Sequence, residues 1–116
     1  GDVFGNNSCW LVPRDGGSAL CFATGPTECE LTGVCLDQEE TSLFLAVQHP
    51  GEVHGARSSG DVEFQSHRLV DRDGASFEQL REVPLGSNWP AQAPGRPPRP
   101  GVVAIHRSGG QSLLEG

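Results

Sequence analysis

The apolar positions along this chain come in short runs, separated by clusters of Gly, Asp, Ser and Pro. Ser8–Pro13 (SCWLVP) and Ser18–Ala23 (SALCFA) flank Arg14-Asp15-Gly16-Gly17, whose Asp-Gly-Gly supplies the positive φ a tight hairpin needs. Thr32–Leu36 (TGVCL) and Ser42–Gln48 (SLFLAVQ) flank the acidic turn Asp37–Glu40 and predict a second hairpin. Val102–His106 and Gln111–Leu114, around Ser108-Gly109-Gly110, predict a third. Helical periodicity is weak throughout, and only Ala75–Glu82 (ASFEQLRE) is assigned two turns of helix.

Two stretches carry no strand signal. Pro50–Asp61 is rich in Gly, Ser and charge, and Pro84–Pro100 holds six prolines. Each proline removes a backbone donor, so the second stretch is read as an extended arm, with Trp89 pinning it to an apolar surface. The chain has 116 residues, 35% of them hydrophobic, with 16 Gly and 9 Pro. That composition excludes a helical bundle, because Gly and Pro cost a helix interior about 1 and 3 kcal/mol. Three hairpins of five-residue strands bury little surface. Antiparallel four-stranded units with Gly-rich turns are the sequence pattern of propeller blades, and one blade cannot cover both of its faces.

Charge and cysteine change the picture mostly by exclusion. A net charge of −7, with eight Arg and no Lys, argues against a nucleic-acid binder. No window is apolar enough for a membrane span, and no leader peptide is legible. The first residue is Gly, and the chain is read as a fragment of something larger. Cys9, Cys21, Cys29 and Cys35 lack the C-x-x-C spacing of a zinc site. They are read as small hydrophobes on strands, or, in an exported protein, as two disulfides with Cys9–Cys21 the best candidate pair. Asp71 and Asp73 lack the downstream ligands of an EF-hand and are assigned to a turn.

The segment Thr24–Glu52, TGPTECELTGVCLDQEETSLFLAVQHPGE, resembles the C-terminal signature of the PhoX-type alkaline phosphatases, where "TGP…CEVTG" precedes "TLFV.IQHPGE". Gly5-Asn6-Asn7, Ser87-Asn88-Trp89-Pro90 and Arg99–Ile105 are similar to that family's "GNN", "S-x-W-P" and "RP…VV.I", in the same order. Val53–Gly86 has no counterpart.

The resemblance implies an all-β chain of about one and a half propeller blades, built of antiparallel four-stranded units with long Pro/Gly-rich irregular arms. Residues 1–26 would be outer strands of one blade, 27–52 and 101–116 the next blade, and 53–100 an insertion and arm. It implies a calcium- and iron-dependent phosphomonoesterase, periplasmic or extracellular, that releases phosphate from organic phosphomonoesters. Upstream blades would be needed, so this chain would be inactive alone.

Carried over residue by residue, Glu30 becomes the candidate calcium ligand, at the start of an innermost strand. Glu52 and Asn7 are weaker metal candidates, and Thr32, Gln48 and His49 could touch substrate or orient the carboxylate. A strand-end carboxylate suits a hard cation that wants six to eight oxygens. The sequence offers no catalytic nucleophile. Two other classes stay open: a calcium-dependent lactonase-type propeller hydrolase, and a non-catalytic propeller fragment or binding module.

Overall fold

Seven strands and one turn of 3-10 helix make up the computed structural model, which describes residues 6–55 and 61–114. Gly5 of the Asn motif and positions 56–60 of the irregular Pro50–Asp61 stretch lie outside the described residues. The strands are β1 (Ser8–Leu11), β2 (Leu20–Thr24), β3 (Glu30–Leu36), β4 (Ser42–Gln48), β5 (Val62–Val70), β6 (Ser76–Pro84) and β7 (Gly101–His106). They form three separate antiparallel sheets, ordered β1-β2, β3-β4-β7 and β5-β6. The fold is all-β, and none of these sheets is closed.

The first two hairpins form where the turn residues place them. Gly16, at φ 82°, donates to the Pro13 carbonyl in the β1–β2 turn. In the β3–β4 turn Asp37 does most of the holding. Its Oδ1 accepts the Thr41 and Ser42 N–H at 2.7 and 3.0 Å, and its Oδ2 accepts the Thr41 hydroxyl at 2.8 Å. These donors favour the charged carboxylate, so the Asp37 pKa falls below its ordinary value, with the Ser42 N–H the largest cause. The acidic turn is therefore more than a solvated loop.

The registers run Thr32↔Ala46 and then Cys35↔Phe44, so β3 carries one residue more than β4 over this interval. Gly33, at φ 60°, takes up the extra residue as a bulge, a conformation that costs any residue with a Cβ.

Two expectations are corrected. Ala75–Glu82 is not helical: Ser76–Pro84 pairs residue for residue with Val62–Val70. Nine consecutive strand pairs outweigh two helical turns, which are marginal on their own because nucleation is costly. The turn Asp71–Gly74 closes this ribbon. Asp71 Oδ1 accepts the Asp73 and Ala75 N–H at 2.9 and 2.8 Å, the local turn that the spacing of the two acids implied.

Nor does Gln111–Leu114 return as a strand. Its Leu113 N–H bonds the Glu40 carbonyl at 2.8 Å, which draws the segment to the β3–β4 turn. β7 pairs instead with β4, in register from Ser42↔His106 to Val47↔Gly101. The resulting sheet has three strands, so a four-stranded blade is not formed by the described residues.

The core is small. Leu43, Leu45 and Val47 line one face of β4, and with Val83 they are the buried hydrophobics. The radius of gyration is 17.8 Å, against about 13 Å for a compact domain of this length. Among the described residues twelve large apolar side chains stay exposed, Phe64, Leu80 and Val102 included. The proline arm supports the sheet at one point: a Cβ on Gly101 would lie 3.2 Å from the Trp89 ring, and Trp89 O accepts the Arg99 N–H at 2.9 Å. Trp89 thus pins the arm, as the sequence suggested.

The segment after β4 is held most tightly. Glu52 N–H bonds the His49 carbonyl at 3.2 Å, closing a turn with Pro50 and Gly51 at its centre. Gly51 sits at φ 81°, and its own N–H bonds Thr27 O at 3.1 Å. A Cβ on Gly51 would meet Ser87 N at 2.8 Å, and one on Gly86 would meet Gly51 O at 2.7 Å. Backbone meets backbone here without room for a methyl group.

Gly51→Ala is expected to cost about 2–4 kcal/mol, from left-handed strain plus overpacking. Gly16→Ala, with a similar φ but open space around it, is expected to cost about 1 kcal/mol. Urea unfolding of the two variants checks this ordering. The depressed Asp37 pKa gives a second test. Its contribution is complete above the unfolded carboxyl value of about 3.9 and is lost as pH falls through the lower folded value. The stability gap between the native chain and Asp37→Asn should therefore shrink below about pH 4 in urea titrations.

Candidate functional site

Glu30 opens β3 and Gln48 closes β4, and the two are register partners. The end of the β3–β4 hairpin opposite its turn therefore collects most of the candidate side chains. Four are brought there, in two bonded pairs. His49 Nε2 lies 3.3 Å from Glu30 Oε2, with the glutamate side chain 54% exposed and the histidine 28%. Gln48 Nε2 donates to Thr32 Oγ1 at 3.0 Å, alongside that pair.

His49 is placed by the turn it begins. It takes φ 33°, a left-handed conformation unusual for a residue with a Cβ, immediately before Pro50. This aims one ring nitrogen at Glu30 and leaves the other, Nδ1, buried without a hydrogen-bond partner among the described residues. The Nε2 contact becomes an ion pair when the ring is protonated; with the ring neutral it is a hydrogen bond if Nε2 carries the proton. Either way the imidazole holds the Glu30 carboxylate in place while leaving about half of its surface open.

Asn7 is close by but differently employed. Its Oδ1 accepts the Leu31 N–H at 3.0 Å, and its carbonyl accepts the Gly25 N–H at 2.8 Å. β3 is an edge strand, and Asn7 satisfies one of the donors that edge would otherwise expose. The residue reads as a tie between the β1–β2 hairpin and the start of β3. Glu52 is buried, at 8% exposure. Gln48 and Thr32 are occupied with each other.

One residue that the sequence analysis does not single out has a part in the architecture. Glu28, at φ 52°, accepts the His54 N–H on its Oε2 at 3.3 Å, which ties the β2–β3 loop to the 3-10 turn Val53–Gly55. Nothing in the local pattern marks Glu28, because its partner lies 26 positions away.

The four cysteines are free, Cys9 and Cys21 included. The β1–β2 register sets Cys9 opposite Ala23 and Cys21 opposite Trp10, with an irregularity between them, so the two do not face each other across the ladder. Cys21 and Cys35 are exposed rather than buried, while Cys9 and Cys29 are half-buried. Burial pushes the Cys29 thiol above its ordinary pKa, which keeps it protonated and unreactive.

Calcium needs six to eight oxygens. Among the described residues, no group of three His, Cys, Asp or Glu side chains is placed to hold a metal ion. The Asn7 amide oxygen and the Thr32 hydroxyl already accept protein donors, while the Glu30 carboxylate keeps about half of its surface open. No described helix is long and apolar enough to cross a membrane. Comparisons with protein-family models, with characterised proteins and with solved structures give no match.

Proposed function

We propose that this chain is a C-terminal part of a PhoX-like propeller phosphatase and contributes one acidic ligand, Glu30, to a calcium-bearing phosphomonoesterase site. The observation that carries the reading is the Glu30–His49 pair at the open end of β3 and β4. Both residues belong to the segment that resembles the family, and on this reading that end of the hairpin would face the central channel of the assembled propeller.

The division of labour follows from the contacts. Glu30 offers carboxylate oxygens to a hard cation, and His49 orients that carboxylate from its flank. The Gln48–Thr32 bond stiffens the neighbouring strand ends. When bound, calcium would neutralise charge on a phosphoryl oxygen. The remaining calcium and iron ligands and the substrate-binding cations would come from other blades, so the chain by itself is inactive toward phosphomonoesters. An exported location follows the family reading and stands or falls with it.

Calorimetric titration with calcium tests the assignment. In this chain alone water fills the other coordination positions, so binding is expected to be weak, about 10⁻⁴–10⁻³ M. Glu30→Gln should abolish it, and neither protein should hydrolyse p-nitrophenyl phosphate. Calcium binding unchanged in Glu30→Gln would remove the residue from the site.

A further inference from the structure

A second region, bordered by Gly86 and Ser87, has the features of a binding cleft. It measures about 400 Å³ and lies between the proline arm, the strap 85–88 and the base of β5. One wall is the arm. Its backbone is folded back on itself by Gln92 N–H to Asn88 O at 2.9 Å, Arg96 N–H to Ala93 O at 3.2 Å and Arg99 N–H to Trp89 O at 2.9 Å. Arg96 is therefore presented by an ordered loop closed at both ends, not by a loose tail. Its guanidinium has no hydrogen-bond or ion-pair partner among the described residues, in a chain whose net charge is −7.

The strap brings further donors. Ser87 Oγ accepts the Trp89 N–H at 3.2 Å, which leaves its own hydroxyl proton free, and the Asn88 side chain lines the same cleft. Of the β5 residues that line the cleft, Gln65 Nε2 donates to Glu63 Oε1, so the Glu63 carboxylate is partly satisfied yet retains acceptor capacity. The cleft lining thus combines donors on Arg96, Ser87 and Asn88 with an acceptor on Glu63. A lone oxyanion would leave most of this volume empty and would face Glu63 with nothing to offer it.

We propose that this cleft binds a small organic anion, with its phosphate or carboxylate group on Arg96 and the Ser87–Asn88 donors, and a hydroxyl or ammonium group at its far end on Glu63. A planar guanidinium fork suits either oxyanion. Because Arg96 is exposed, binding is strongest at low ionic strength and weakens with added salt. The site does not involve Glu30 or calcium, so it stands independently of the phosphatase reading.

Calorimetry with glycerol 3-phosphate and with glycerate, in metal-free buffer, tests the proposal and separates the two anion chemistries. Binding is expected for at least one probe, with acetate, which lacks the hydroxyl end, binding more weakly. Loss of one charge-assisted contact in Arg96→Gln should weaken it about tenfold. Arg99→Gln, outside this cleft, should leave it unchanged. Amide resonances of Ser87, Asn88 and Arg96 should shift on titration, and the unperturbed remainder of the spectrum shows that the variants fold. Absence of binding by both probes, or equal affinity in Arg96→Gln and Arg99→Gln, overturns the proposal.

Discussion

The contact between Gly51 and Gly86 is the constraint on which the rest of the arrangement depends. A Cβ on either residue would lie under 3.0 Å from the backbone of the other segment, so both segments can meet only as bare main chain. Gly51 also donates to Thr27, and the same turn starts with His49. One close approach therefore fixes the β2–β3 loop, the end of β4 and the strap that follows β6. From it follow the left-handed backbone of His49, the pairing of its ring with Glu30, and the placement of the arm that carries Arg96.

This local precision contrasts with a sparse core. Four buried apolar side chains cannot organise an all-β chain of this length by hydrophobic burial alone. Order is provided instead by turn chemistry: Asp37 and Asp71 each gather backbone donors, Asn7 caps the edge of β3, and Glu28 ties down the 3-10 turn. Asn7 spends its amide oxygen in this way on the Leu31 N–H, and Thr32 and Gln48 are bonded to each other, while Glu30 and Arg96 keep open surface.

Much of the fold was legible in the sequence wherever a turn signal lay between two apolar runs. The β1–β2 and β3–β4 hairpins announced themselves through Asp15-Gly16-Gly17 and Asp37–Glu40, and β7 through its run of Val and Ile. The β5–β6 ribbon was missed because its pattern is polar on both faces: Ser66, Arg68 and Glu78 on one and Gln65, His67, Gln79 and Arg81 on the other interrupt any clean alternation. Its strand pairing is a long-range property that local periodicity does not report. The displaced Gln111–Leu114 segment shows the same limit, since its choice of Glu40 over β7 is made by tertiary contact. For the site, the resemblance singled out Glu30 and His49 one by one. The Glu30–His49 contact required the register of β3 on β4, and the Arg96 cleft required the folding-back of a proline-rich arm that sequence alone leaves extended.

The most direct test of this account is a nuclear Overhauser measurement on the isotopically labelled chain. The packing predicts strong cross-peaks between the α-protons of Gly51 and Gly86, together with contacts from the His49 ring to the Glu30 side chain. Their joint presence would establish that the turn holds the carboxylate where the proposed chemistry needs it. A chain that is folded by its β3–β4 cross-peaks but lacks the Gly51–Gly86 contact would contradict the account at its base.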